Sequence, residues 1–285
     1  MNNILVPYDF NQQSMLALDW SLLLARRLTC GITILYVNEP PRLSFSMFDQ
    51  EQHEEFTDRI NDQLDTIAVK LSLKSGINID ARLLQGRVYA AILSLAEELN
   101  AEFIVMGTRS NIPTDQKPMV GRNTSRVIRM SKCPVITIGG KQLPLHDRSV
   151  LLPLDLTKIT RQKISWAIKM AGIYGAGIKA VSALWSQNNP EILARLLLQM
   201  EQVRETIEAA GILCSTKIIE TPAGEKTSVP VILNYAKEEG DIELIVIMTQ
   251  QESALVEFFV GSHAQEFIRN AEIPVMSVVP EETEQ

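Results

Sequence analysis

The feature that most constrains this 285-residue chain is that its sequence repeats once. Residues 4–9 (ILVPYD) match residues 150–155 (VLLPLD). Residues 133–135 (CPV) and 273–275 (IPV) match at a slightly shorter offset, and the difference falls in loops, where insertions cost little. The chain is also about two domains long at about 150 residues per domain. The repeat therefore predicts two domains of similar fold.

Composition supports two ordinary globular domains. The apolar fraction is 46% and the charged fraction is 21%, both close to the averages for globular proteins. The matching halves are separated by residues 139–148 (GGKQLPLHDR), whose Gly, Pro and charged residues are typical of a linker. We therefore predict one domain at residues 1–143 and a second at residues 148–285.

Each half alternates short apolar runs with segments of helical periodicity. The apolar runs are β-branched and nearly continuous, as in strands of a parallel sheet that are buried on both faces. In the first half we predict strands at 4–8, 32–37, 77–84, 103–106 and 135–138, with Ser14 capping the first helix. The predicted fold class is α/β: two tandem Rossmann-like domains, each a five-stranded parallel sheet with helices on both faces.

Charge and cysteine content restrict the partners and the compartment. The formal net charge is −7, which argues against a nucleic-acid-binding protein, although a local site can still bind a small anion. No apolar run reaches the roughly 18 residues of a membrane span, and the first residues do not resemble a signal peptide. The three cysteines are far apart and predict neither a disulfide framework nor a zinc site. We therefore expect a cytoplasmic protein with no nucleic-acid or membrane partner.

Candidate site residues follow the predicted strands, because open α/β sheets bind ligands beyond the carboxyl ends of their strands. These positions are Asp9, Val37 and Gly107-Thr108 in the first half, with Asp155 and Thr249-Gln250 among the counterparts in the second. A polar loop carrying Arg109 and Lys117 runs from Gly107 to Gly121, which opens a helix. Such a loop suits anion binding, since glycines allow close approach and a helix N-terminus offers free N–H groups. A plain strand-to-helix turn with a surface loop is the alternative.

These motifs together resemble those of a tandem universal stress protein. The resemblance rests on residues 7–10 (PYDF), 105–108 (VMGT), Gly121 and the CPV strand, and the second half repeats 153–155 (PLD), 261–262 (GS) and 273–275 (IPV). It implies an α/β nucleotide-binding fold with five parallel strands. It also implies that residues 135–138 and 275–279 pair antiparallel, so that the two domains form an intramolecular pseudo-dimer.

The resemblance further implies an ATP site in the first domain. ATP-binding members carry G-x-x-G, nine residues, then G-[ST]; Asp9 and Val37 match the positions that hold the nucleoside. Gly107 and Gly121 match the first and last glycines, and Thr108, Gly121, Arg122 and Asn123 would face the phosphates. Three features depart from the pattern: Ser110 replaces the second glycine, the next gap holds ten residues, and Arg122 replaces the hydroxyl residue. Arg122 would either clash with a phosphate or bind it as a charged fork.

The second half matches the ATP pattern poorly. Asp155 is kept, but residues 249–252 (TQQE) contain no glycine, and Glu252 would repel a phosphate. Gly261 and Ser262 survive, as a helix start requires in any case. We therefore expect a degenerate second site and at most one nucleotide per chain.

Three functional hypotheses follow. The first is a stress-response regulatory module that binds an adenine nucleotide in its first domain. The second is a scaffold or interaction protein of the same fold that binds no nucleotide. The third is slow ATP hydrolysis, for which the sequence offers neither a general base nor a metal cluster. The sequence predicts no catalytic residue and no metal site; it leaves open which protein partner is bound and whether two chains associate.

Overall fold

The computed structural model describes residues 3–39, 50–108, 120–140, 149–154, 160–185, 190–222, 225, 227–249 and 262–279. The chain divides into two compact units, Met1–Ile138 and Gly139–Gln285. The division falls at the start of the Gly- and Pro-rich stretch that separates the two sequence repeats.

The first unit alternates strands and helices along its whole length. Its elements are β1 (Asn3–Pro7), α1 (Gln12–Leu28), β2 (Gly31–Asn38), α2 (Gln50–Ser75), β3 (Ile79–Gln85), α3 (Val88–Glu98), β4 (Phe103–Gly107), α4 (Arg122–Met130) and β5 (Val135–Ile138). All neighbouring strands are parallel, in the order β3-β2-β1-β4-β5. The order reverses at β1, which lies between β2 and β4, and such a reversal opens a crevice at the carboxyl ends of the strands.

The second unit repeats this architecture. Its elements are β6 (Ser149–Leu154), α5 (Thr160–Tyr174), β7 (Gly177–Trp185), α6 (Pro190–Ala209), β8 (Cys214–Thr221), α7 (Val229–Glu239), β9 (Ile242–Met248), α8 (Ser262–Asn270) and β10 (Val275–Val278). Its strands are also parallel, in the order β8-β7-β6-β9-β10. The prediction of two tandem α/β domains with five parallel strands each is therefore confirmed.

Burial explains why the central strands read as continuous apolar runs. Ile4, Leu5 and Val6 are consecutive in β1, and none has any exposed surface. Consecutive strand residues point to opposite faces, so both faces of the sheet must be covered by helices. The core of the unit thus lies on both sides of the sheet and leaves the strand ends free to form a site.

Helix α1 begins earlier than the sequence predicts. Its N-cap is Asn11, whose side chain accepts a hydrogen bond from the Ser14 N–H at 2.8 Å, whereas Ser14 is buried inside the first turn. Asn and Ser are comparable N-caps, so sequence preference alone does not separate them. Met15 is 44% exposed, because the buried face of the helix is centred on Leu18, Ser21 and Ala25.

Within the residue ranges that the structure describes, we searched for membrane-spanning helices and for metal-binding groups. No helix there is both long enough and apolar enough to cross a membrane. Nor do three His, Cys, Asp or Glu side chains gather there into a group that could hold a metal ion.

Candidate functional site

A cavity opens at the carboxyl edge of the first sheet, where the strand order reverses. Its wall is formed by the ends of β1, β2 and β4 and by the first turns of α1, α3 and α4. Its volume is about 170 Å³. A cavity that holds a single water molecule has a volume of about 10–15 Å³, so this one has room for a small ligand. Four of the seven residues chosen from the sequence line it: Asp9, Val37, Gly107 and Asn123.

The Asp9 carboxylate is oriented by the residue that caps α1. Its Oδ2 accepts a hydrogen bond from the Asn11 side-chain amide at 2.7 Å, and its Oδ1 accepts one from the Asn11 backbone N–H at 3.3 Å. The Asp9 backbone N–H donates to Ser14 Oγ at 3.3 Å. Asp9 is exposed at the mouth of the cavity, where a carboxylate has room to accept further hydrogen bonds from a ligand.

Three aromatic side chains, those of Tyr8, Phe10 and Tyr36, cluster at the same edge of the sheet as Asp9, and the sequence analysis did not select them. The ring of Phe10 lies 5.1 Å from that of Tyr8 and 5.7 Å from that of Tyr36, measured between ring centroids. Phe10 has φ +62°, an unusual conformation for a bulky residue and one often found at ligand sites. Tyr8 and Tyr36 both line the cavity. The detectable signal was an aromatic residue on either side of Asp9 and another directly before Val37.

Burial raises the pKa of the Tyr8 hydroxyl, and the nearby carboxylates of Asp19 and Asp9 raise it further. Tyr8 therefore stays protonated at neutral pH, and its ring contributes apolar surface to the wall.

Gly107 is explained by the close approach of helix α1. A β-carbon at this position would lie 2.8 Å from Cβ of Gln13, closer than side chains can approach. The Gly107 carbonyl accepts a hydrogen bond from Thr124 Oγ1 at 3.2 Å. The glycine thus has a packing role, whether or not a ligand also approaches it.

Thr108 lies behind the cavity wall and is only 2% exposed. Its hydroxyl contacts Gln13 Oε1 at 3.0 Å and the Ile138 carbonyl at 3.4 Å, and its N–H donates to the same carbonyl at 3.1 Å. These contacts join the end of β4 to the end of β5. The structure thus gives the Thr108 hydroxyl partners within the protein and does not bring it into the cavity.

Gly121, Arg122 and Asn123 form the start of α4. The Gly121 N–H donates to the Thr108 carbonyl at 2.9 Å, which holds this helix start against the end of β4. The helix has no side-chain N-cap and no acidic residue in its first turn. Asn123 lines the cavity, whereas Arg122 is exposed beside it. An uncapped helix N-terminus favours negative charge, so this side of the cavity suits an anion. Arg109, Ser110 and Lys117 lie outside the described residues.

The second unit differs at the equivalent strand ends. The Thr249 N–H and hydroxyl contact the Val278 carbonyl at 2.9 Å and 3.2 Å, the same contacts that Thr108 makes to Ile138. Thr249 is therefore the counterpart of Thr108. The sequence analysis aligned Thr249 with Gly107, and that alignment was wrong by one residue. Met248 then occupies the position of Gly107.

Two further contacts occupy the end of β6. The buried Lys163 donates from Nζ to the Pro153 carbonyl at 2.7 Å, and Ser182 Oγ donates to the Leu154 carbonyl at 3.0 Å. The repeat alignment pairs Lys163 with Ala17 in the first unit. A buried ammonium group thus lies where the first unit has a methyl group. The remaining second-half candidates, Asp155, residues 250–252 and Gly261, lie outside the described residues, and so does the side chain of Ser262.

The fold and this crevice define a tandem α/β protein with two Rossmann-like domains. A model of the universal stress protein family matches residues 1–139 and again residues 148–279. The chain therefore belongs to the universal stress protein family, with two copies of its domain. A comparison with curated proteins gave no match.

Two solved structures share the fold over nearly the whole length of this chain. A universal stress protein from Archaeoglobus fulgidus DSM 4304 is 21% identical, with a TM-score of 0.76, and the match covers 99% of this chain and 97% of that one. A putative universal stress protein from Pseudomonas aeruginosa UCBPP-PA14 is 17% identical, with a TM-score of 0.66, covering 98% and 94%. At these identities the likeness establishes the fold.

Proposed function

We propose that this protein is a cytoplasmic stress-response regulatory module whose first domain binds one adenine nucleotide, with ATP as the expected ligand. The observation that carries the proposal is the cavity at the carboxyl edge of the first sheet. A carboxylate, an aromatic wall and a helix N-terminus meet there in one space. These are the three kinds of group that a ribose, a base and a phosphate require.

The nucleoside would lie at the ends of β1 and β2. The Asp9 carboxylate, which Asn11 orients, would accept hydrogen bonds from the ribose hydroxyls. Val37, Tyr8 and Tyr36 offer apolar and aromatic surface of the kind on which nucleobases rest.

The phosphates would lie at the start of α4. The Asn123 side chain lines the cavity there, and the free N–H groups of the first turn favour an anion. In this arrangement Gly107, Thr108 and Gly121 shape the phosphate-binding side by packing and backbone hydrogen bonds.

The test is a calorimetric titration of the full-length chain with Mg-ATP, read for stoichiometry and affinity. We expect one site per chain. Asp9→Asn keeps the shape of the side chain but removes its charge, and we expect it to weaken binding about tenfold or more while leaving the circular dichroism spectrum unchanged. Asp80→Asn is the matched control, because Asp80 is an exposed carboxylate on β3 away from the cavity.

The second candidate function is a scaffold of the same fold that binds no nucleotide. It is favoured by Gly107 and Thr108, whose identities are accounted for by contacts within the protein. Absence of heat up to millimolar ATP, equivalent to a binding free energy weaker than about 4 kcal/mol, would establish this alternative. The proposal needs no ATP turnover, and an assay of phosphate release over hours separates binding from hydrolysis.

A further inference from the structure

A second cavity lies at the amino edge of the first sheet, the edge opposite to the candidate nucleotide site. Its volume is about 430 Å³, against about 170 Å³ for the cavity at the carboxyl edge, and the two share no lining residue. Its wall is formed by the second half of α3, the turn after that helix and the loop between α4 and β5. The functions considered above leave this cavity unused.

The cavity has an apolar part with a fixed shape. Its lining residues include the aliphatic Leu93, Ala96 and Ala101, together with Cys133. The loop that carries Cys133 is held in place by the buried Ser131, whose Oγ donates to the Cys133 carbonyl at 2.6 Å and accepts from the Cys133 N–H at 3.2 Å. A fixed loop beside aliphatic residues provides a preformed surface for a small apolar group.

An exposed ion pair borders this apolar surface. Lys132 Nζ donates to Glu97 Oε2 at 3.1 Å, and the two side chains are 78% and 54% exposed respectively. Both residues line the cavity, and within the described part of the chain neither side chain has another hydrogen bond or ion pair. Exposed ion pairs contribute little to stability, so a ligand can separate these two charges at low cost.

The end of α3 adds partial negative charge on the Glu97 side of the cavity. This helix has no basic residue in its last turn, and the macrodipole of a helix is negative at its C-terminal end. Asn100, just after the helix, also lines the cavity, and its side-chain amide has no hydrogen-bond partner among the residues described. The cavity therefore offers a negative side at Glu97 and a positive group at Lys132.

We propose that this cavity binds a free α-amino acid with an aliphatic side chain. An α-amino acid carries its ammonium and its carboxylate on one carbon, so both charges can reach the two members of an ion pair that are 3.1 Å apart. Glu97 and the end of α3 bind the ammonium, and Lys132 binds the carboxylate. The aliphatic side chain packs on Leu93, Ala96 and Ala101. Each charge of the ligand replaces one partner of the ion pair, so no charge is left unpaired.

The experiment measures the protection of Cys133, because this residue lines the cavity and is partly exposed. The full-length chain is alkylated with iodoacetamide at pH 8 in increasing concentrations of L-leucine, and the rate at each cysteine is read by mass spectrometry. We expect saturating leucine to slow the alkylation of Cys133 about threefold or more, because a bound ligand restricts access to the thiol. Cys30 and Cys214 do not line the cavity and are internal controls whose rates should not change.

Three analogues of leucine test the parts of the ligand separately. 4-Methylpentanoate lacks the ammonium group and isopentylamine lacks the carboxylate, whereas both keep the aliphatic part. We expect each to bind about three- to tenfold more weakly than leucine, since each loses one charged contact near the surface. Glycine keeps both charges but has no side chain, and it should also bind more weakly because the apolar contact is lost.

Two variants assign the two charges to their residues. Glu97→Gln should abolish the preference for leucine over 4-methylpentanoate, and Lys132→Met should abolish the preference for leucine over isopentylamine. A disturbed loop would weaken all the ligands alike, so these ratios separate binding from a structural effect. Glu98→Gln is the matched control and should keep both preferences, because Glu98 is an exposed carboxylate next to Glu97 that does not line the cavity.

Three results would each overturn the proposal. The first is unprotected Cys133 at leucine concentrations up to the solubility limit. The second is equal protection by leucine, 4-methylpentanoate and isopentylamine, which would indicate apolar contact without recognition of charge. The third is equal slowing of all three cysteines, which would show that leucine acts on the reagent. Nucleotide binding is unaffected by any of these results, since the two cavities share no residue.

Discussion

A β-carbon added to Gly107 would lie 2.8 Å from Cβ of Gln13, so the end of β4 and the first turn of α1 are in direct backbone-level contact. These residues are 94 positions apart in the sequence and lie on two elements that both contribute to the wall of the cavity. The glycine that marks the family motif in this domain is therefore first a packing requirement.

Gly107→Ala should destabilise the protein by about 1–3 kcal/mol, the usual range for overpacking a closely packed site. Denaturant unfolding of the full-length chain measures the effect. Gly172→Ala is the control, because Gly172 lies within helix α5 and its β-carbon would meet nothing within 4 Å. That control should stabilise the protein by about 0.5–1 kcal/mol. Equal stability of Gly107→Ala and the unsubstituted chain would contradict the packing explanation.

Asn11→Ala should affect both stability and binding. It removes the N-cap of α1, which costs about 0.5–2 kcal/mol, and it removes the amide that holds the Asp9 carboxylate. We therefore expect a lower unfolding midpoint together with weaker nucleotide binding. Asn61→Ala, at an exposed position on α2, should change neither property. Unchanged affinity in Asn11→Ala would show that Asp9 needs no such support.

Lys163→Met should destabilise the second domain. Methionine keeps the apolar stem but leaves the Pro153 carbonyl without the ammonium donor at 2.7 Å, and loss of a buried, charge-assisted hydrogen bond costs about 1–3 kcal/mol. Lys70→Met on α2 is the control, since Lys70 is exposed and should stay within about 0.5 kcal/mol. Unfolding curves of the two variants that coincide would rule out a structural role for the lysine.

Cys30 and Cys214 should alkylate slowly at pH 8. The pKa of the Cys30 thiol is raised to about 11, mainly by burial and secondly by the negative charge of Glu102. The pKa of the Cys214 thiol is also raised to about 11, mainly by burial and secondly by the negative charge of Glu208. At pH 8 each then has about a hundredfold less thiolate than a free cysteine. Labelling with iodoacetamide at increasing pH, read by mass spectrometry, should show rates still rising at pH 10. The chain in guanidinium should level off above about pH 9; a plateau near that pH in the folded chain would refute the prediction.

The same shifts predict a direction for alkaline stability. Folding raises the pKa of these two acids, so the unfolded chain loses its thiol protons first as the pH increases. Their contribution to the free energy of unfolding should therefore fall between about pH 8.5 and pH 11. Replacing both cysteines by serine should make the stability less sensitive to pH in this window.

Much of the fold was accessible from the sequence because its signals are local. Strand β5 spans the predicted residues 135–138, since a short β-branched run preceded by Pro134 has few alternative structures. The second-domain alignment was wrong by one residue at Thr249, because the strand lacks the glycine that marks the position and only the hydrogen bond to Val278 reveals the register.

The sequence by itself determined the two α/β units and the sheet edge to which Asp9, Val37 and Gly107 belong. Hydrophobic periodicity and the alternation of strand and helix are properties of neighbouring residues, so they can be read without coordinates. Only the tertiary structure decided what these residues contact: that Gly107 accommodates Gln13, that Thr108 is buried, and that Lys163 reaches Pro153. Such contacts depend on how closely packed helices approach the sheet, which is set by many side chains distant in the sequence.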